Sequence, residues 1–184
     1  MFLYHPETGS TYLANMAKPR ARHCMEILGE RLYVAGGITS DDNMSMVDLL
    51  TCEVYNPVAD SWTAFTSLSV PHVSAGGAVL GGKLYVLGGY SHEDFSETKL
   101  VHRYDPTTKR WENMGKMPGP NSDIRASVLC LPPHFRMEDK KSTEGCVSIH
   151  VVEHSAVIPQ FHVHLVTTIQ LQNNSITATV RAVR

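Results

Sequence analysis

Two short apolar runs in this chain each end on a pair of adjacent glycines: RLYVAGGI from Arg31 to Ile38 and KLYVLGGY from Lys83 to Tyr90. Gly36-Gly37 and Gly88-Gly89 stand 52 residues apart. Each pair is followed by a tyrosine, a proline two residues on, and then a tryptophan. These are Tyr55, Pro57 and Trp62 in the first copy and Tyr104, Pro106 and Trp111 in the second, at an offset of 49. A lone double glycine carries little information. Two copies with the same ordered partners define an internal repeat of about 50 residues with four short apolar segments per unit.

The first complete unit occupies residues 21–68. The pattern predicts a strand from His23 to Leu28, a turn at Gly29-Glu30 and a second strand from Arg31 to Ala35. A polar, loop-like stretch from Thr39 to Asp48 leads to a third strand, Leu50 to Tyr55, and Pro57 and Asp60 mark a turn into a fourth, Trp62 to Phe65. The second unit, 69–117, repeats this with strands Ser74 to Leu80, Lys83 to Leu87, Leu100 to Tyr104 and one at Trp111, and with a loop from Ser91 to Glu97. Apolar and polar residues alternate only loosely in the second strands, the pattern of a strand covered on both faces.

The flanks are incomplete units. Within residues 1–20, Tyr4 and Pro6 stand where Tyr55 and Pro57 stand later, so this segment reads as the end of a preceding unit, and the chain as a fragment or shortened product. Residues 118–136 begin a further unit with the apolar run Ile124 to Leu131, but Pro132-Pro133-His134-Phe135-Arg136 occupies the place of the next strand. Residues 137–184 lack the double glycine, tyrosine and tryptophan. Their Val, Ile and Thr alternations, with Asn173-Asn174 as a turn, predict either a β-hairpin or an ending with little stable structure.

Composition narrows the partners. A formal net charge of −2 and a pI near 6.5 supply no basic field, which argues against nucleic acid and anionic membrane. No apolar run approaches the roughly 18 residues of a membrane span, and the N-terminus lacks the basic start and apolar run of a signal peptide. Cys24, Cys52, Cys130 and Cys146 are widely spaced without a C-x-x-C pair, which reads as reduced thiols in the cytosol or nucleus.

Residues 1 to about 136 resemble part of the kelch domain of the Kelch-like (BTB–kelch) proteins. The residues that carry the resemblance are Leu32 to Gly37 with Tyr55, Asn56, Pro57 and Trp62, and Leu84 to Gly89 with Tyr104, Asp105, Pro106 and Trp111. The implied fold is all-β: a partial kelch-type propeller of about two and a half four-stranded blades, with a non-repeat C-terminal tail. Glycines at 36, 37, 88 and 89 suit a sharp exit from a crowded strand. Tyr55, Trp62, Tyr104 and Trp111 suit the gap between neighbouring sheets. These eight are read as structural.

The resemblance implies a non-enzymatic module that binds a target protein through rim loops. The loops between second and third strands offer Asp41, Asp42, His92, Glu93 and Asp94; the segments between blades offer Arg20, Arg22, His72, Ser74 and Arg125. Arg22, Ser74 and Arg125 are read as equivalent positions at the starts of first strands. Cullin recruitment, a property of the family's BTB domain, would belong to a full-length parent and not to this chain. The alternatives are a fragment of an oxidase-like kelch enzyme and a cytoskeleton-binding kelch protein. No cofactor is assigned. His150, His154, His162 and His164 form no convincing zinc spacing, and the glycosylation patterns at Asn43 and Asn173 read as chance without a secretory signal.

Overall fold

The computed structural model describes residues 1–118, 123–129, 148–153, 164–172 and 175–183. Its regular structure is antiparallel sheet, with no helix among the described residues. A two-stranded ribbon, β1 (Phe2–His5) and β2 (Gly9–Tyr12), comes first. The first blade follows in the order β3 (Cys24–Leu28), β4 (Arg31–Ala35), β7 (Cys52–Asn56), β8 (Ser61–Phe65). The second is β9 (Gly76–Leu80), β10 (Lys83–Leu87), β11 (Leu100–Asp105), β12 (Arg110–Lys116). Both are simple up-and-down sheets, and the two glycine-terminated strands fall where the sequence placed them.

Two segments carry more structure than expected. The stretch read as a loop from Thr39 to Asp48 contains a ribbon of its own, β5 (Ile38–Ser40) paired with β6 (Met46–Asp48). Beyond the kelch-like repeat, β13 (Arg125–Leu129) is joined by β14 (Ser148–Glu153), β15 (His164–Gln172) and β16 (Ser175–Val183) in a third four-stranded sheet. The structure thus goes further than a hairpin: the β15–β16 pair is present, but β14 also joins it to β13. Strand pairing needs only backbone hydrogen bonds and a suitable apolar alternation, not the glycine, tyrosine and tryptophan of the repeat. Asn173 and Asn174, read as the turn, lie outside the described residues, although Gln172 pairs with Ser175 on either side of them.

β10 explains the loose alternation of the second strands. Leu84 and Val86 enter an apolar cluster shared with Cys24, Tyr33, Ala35, Cys52 and Leu68 of the first blade and its exit. Tyr85 and Leu87 enter a second cluster with Val101, Met114, Met117 and Ile124, against which Ala126 and Val128 of the third sheet pack. A strand with a core on each face has no solvent side to mark with polar residues. Burial pushes the Cys52 thiol up to about 11 and raises that of Cys24 further, so both stay protonated and pack as small apolar groups.

The first strands line up at the centre. A side chain added at Gly77 of β9 would meet Sγ of Cys24 at 2.5 Å and the Glu26 carboxylate at 2.9 Å; one at Gly76 would meet Ala126 and Ile124 at 3.2 Å. Glycine at both positions lets three inner strands approach closely. The double glycines act at the blade ends. Gly37 and Gly89 have φ of 95° and 90°, and a Cβ on either would strike the carbonyl oxygen of Ala21 or of Val73. Those residues belong to the segments entering each blade and form isolated bridges, Ala21 with Ile38 and Val73 with Tyr90.

The aromatic pairs are cross-strand neighbours. Tyr55 faces Trp62 and Tyr104 faces Trp111, each with ring centroids 5.2 Å apart. The indole N–H of Trp62 donates to the Ala14 carbonyl, and that of Trp111 to the Thr66 carbonyl, so each tryptophan pins the chain arriving from the previous blade.

His72 fastens the segment entering the second blade to that blade's sheet. Its Nδ1 lies 2.6 Å from the Gly88 carbonyl oxygen, which only accepts, so that nitrogen carries the proton. Nε2 then accepts from Nδ1 of His102, 2.8 Å away on β11. Burial and, to a lesser degree, the neighbouring His102 lower the His72 pKa to about 4, although its bond to Gly88 acts to raise it.

Two predictions follow from these contacts. Gly89→Ala should cost at least about 3 kcal/mol in urea denaturation, because it combines a left-handed φ with a backbone clash. Gly81→Ala, also left-handed but facing open space, should cost only about 1–2 kcal/mol. The pH dependence has a definite sign. His72 is neutral in both states above its unfolded value of about 6.5, so stability should be full there. It should fall as pH drops from about 6.5 towards 4, where the unfolded state takes up a proton that the folded state refuses, a loss on the order of 3 kcal/mol. A flat urea midpoint between pH 7 and 5 would contradict this, and His72→Asn should flatten the slope.

Candidate partner-binding rim

The bridges from Ala21 to Ile38 and from Val73 to Tyr90 bring the inter-blade segments and the loops after the double glycines to the same end of the blades. That end holds all ten of the candidate binding residues, but not all of them are available. Arg20 is fully buried at its side chain. It pairs with Glu53 at 2.5 Å and donates to the carbonyls of Thr51 at 2.7 Å and Gly36 at 3.2 Å, so it fastens the segment entering the first blade to that blade's sheet. His72 is likewise buried and committed to Gly88 and His102. These two are corrected to structural residues, since a partner could reach them only by opening the blade junction.

Arg22, Ser74 and Arg125 do surround one opening. A cavity of about 460 Å³ lies over the inner strands β3, β9 and β13, with Arg22, Ser74, Asp123 and Arg125 among its walls and His23 and Glu26 beside Gly77. The Ser74 N–H donates to the Arg22 carbonyl at 2.9 Å, which fixes the two segments together. The Arg22 guanidinium leans across to the Tyr90 hydroxyl, and Arg125 Nη1 donates to the Ile124 carbonyl at 3.0 Å. Neither guanidinium is in an ion pair among the described residues. Burial raises the Glu26 pKa; burial and then the Arg20 charge lower that of His23.

The register of these residues differs from the sequence reading. Arg22 and Ser74 both have φ of 54° and both lie two residues before their strands. The third member of that series is Asp123, with φ of 56°. Arg125 opens β13 itself and corresponds to Cys24 and Gly76. Aligning along the repeat hid this because the first strands start 52 residues apart from Cys24 to Gly76 but 49 apart from Gly76 to Arg125; counting back from each strand start finds Asp123.

The loops carry the acidic candidates. Asp41 Oδ1 accepts from the backbone N–H of Asn43 and Ser45, closing the tip of the β5–β6 ribbon, while Asp42 is exposed. In the second loop Asp94 accepts from the Ser96 N–H; hydrogen bonds from the Ser96 side chain and then from that N–H lower its pKa, and Glu93 is exposed. The His92 N–H donates to Asp48 at 2.8 Å, and the Ser91 hydroxyl donates to the same carboxylate at 2.6 Å. Asp48, at the end of β6, therefore ties one loop base to the next. Nothing in the sequence pattern distinguished it. His154 and His162 lie outside the described residues. Among the described residues no three His, Cys, Asp or Glu side chains converge as a metal centre.

Comparison with known proteins places this geometry. A Kelch motif is matched at residues 19–69 and again at 71–118. Kelch-like protein 36 of Mus musculus is 33% identical over 134 residues, covering 71% of this chain and 22% of its own length. Kelch-like protein 13 of Mus musculus is 34% identical over 101 residues, 55% of this chain and 15% of that protein. Kelch-like protein 21 of Mus musculus is 44% identical over 73 residues, 40% and 12%. This chain thus spans about a fifth or less of the relatives it matches. Among solved structures, that titled "Structure of YjhT" superposes with a TM-score of 0.71 at 18% identity, covering 97% of this chain and 57% of that one. With a Kelch motif over more than half its length, on blades of matching fold, the chain belongs to the kelch-repeat family.

Proposed function

We propose that this chain is a non-enzymatic protein-interaction module that holds a target against the rim where its three inner strands begin. The observation that carries the reading is the open cavity bounded by Arg22, Ser74 and Arg125, contributed by three successive sheets. Guanidinium groups are forked donors suited to a carboxylate, and Ser74 adds a hydroxyl between them. At the rim itself Asp48 fastens the base of one loop to the next through Ser91 and His92. Rigid presentation of a few side chains lowers the ordering cost of binding.

Similarity to Kelch-like proteins supports a target-reading role in such an architecture. Within a longer parent bearing a BTB domain, this region would select the protein delivered to a cullin ligase. The reduced-thiol reading of the cysteines favours the cytosol or nucleus. The test is binding of a fluorescent peptide rich in glutamate to the full chain. Arg22→Ala and Arg125→Ala should each weaken it by about 1–3 kcal/mol with little change in Tm. Unchanged affinity in both variants would remove the cavity from recognition.

A further inference from the structure

The two loops that follow the double glycines repeat an unusual arrangement. Met44 lies at the tip of the β5–β6 ribbon with φ of 62°, and Phe95 lies in the second loop with φ of 56°. Both adopt the left-handed backbone that glycine and asparagine tolerate and that costs a bulky residue free energy. Neither recovers that cost by burial: Met44 is 81% exposed and Phe95 72% exposed. Met46, beside the first tip, is also exposed, and His92 lies against the Phe95 ring at a centroid distance of 5.6 Å. The loop bases are joined through Asp48, so both tips belong to one surface. Strain kept at exposed apolar positions in both loops is a feature of binding surfaces rather than of folding.

The charge around these tips chooses the occupant. Asp41, Asp42, Glu93 and Asp94 flank them, and neither 38–48 nor 90–98 contains a lysine or arginine. We infer that Met44 and Phe95 are apolar anchors for a short basic segment of a partner protein, one with large apolar side chains between its lysines or arginines. This surface rests on the rim-binding reading but is separate from the Arg22–Arg125 cavity, which suits the opposite charge. A partner carrying both kinds of segment would be oriented by them, since each mismatched placement sets like charges together.

The experiment uses the full chain and three labelled 12-residue peptides: lysine alternating with leucine, lysine with serine, and glutamate with leucine. Fluorescence anisotropy should show the lysine–leucine peptide binding at least tenfold more tightly than the other two peptides bind to an Arg22→Ala/Arg125→Ala chain. That double variant should retain the lysine–leucine peptide in full. Met44→Gly/Phe95→Gly should lose it at least tenfold while raising Tm, because glycine relieves the backbone strain; a purely structural role would lower Tm instead. Asp42→Asn/Asp94→Asn should weaken binding several-fold and reduce its salt dependence. Full binding by Met44→Gly/Phe95→Gly, or equal binding of the lysine–serine peptide, would overturn the inference. If the glutamate-rich peptide still depends on Arg22 and Arg125, the cavity reading survives that failure; if neither peptide binds, both fall.

Discussion

The close approach of each inter-blade segment to the sheet it enters is the constraint on which the blade arrangement depends. The carbonyls of Ala21 and Val73 press on the second glycine of each pair, at the end of the blade's most buried strand. Any side chain there would force the segment outwards. The bridges to Ile38 and Tyr90 would then be lost, and with them the gathering of loops and inner strands at one rim. The glycines therefore set the position of the segments and loops gathered at that rim.

Contacts between neighbouring sheets reinforce that arrangement at different depths. Near the axis, Gly76 and Gly77 let β9 lie between β3 and β13. In the middle, the two faces of β10 belong to two different cores. Towards the outside, Trp62 and Trp111 hold the incoming chain by one hydrogen bond each. Because each core is shared by two sheets, stability is carried by the junctions between blades as much as by the blades. The buried His72–His102 bond holds the segment entering the second blade to its sheet, and it makes that attachment sensitive to protonation.

Function is placed where this packing leaves side chains unused. Arg20 shows the contrast with Arg22, two residues later. The first is drawn inwards by Glu53 and three backbone or hydroxyl acceptors, while the second stands at the mouth of the cavity with the Tyr90 hydroxyl as its side-chain partner among the described residues. Similarly, Asp48 is consumed in joining two loops, whereas Asp42 and Glu93 remain exposed. The rim presents a recess over the inner strands walled by Arg22 and Arg125 together with Glu26 and Asp123, and acidic loops with exposed apolar tips. Such a surface discriminates by charge placement as well as by shape.

The sequence by itself determined the repeat, the strands around each double glycine and the Tyr–Trp pairing, because these depend on local period, turn chemistry and residues that only one conformation accommodates. It also put its candidate residues on segments that the fold gathers at one end of the blades. What it could not separate was Arg20 from Arg22, or His72 from Ser74, since neighbours in a chain share composition and differ only in what the fold brings against them. Asp48 gained its place through hydrogen bonds between loops that no pattern along the chain encodes. The strands after residue 147 were legible as β-forming, but their attachment to β13 was not, because strand partners are chosen by backbone geometry in three dimensions. Tertiary structure decided which polar groups were spent in holding blades together and which remained free to meet a partner.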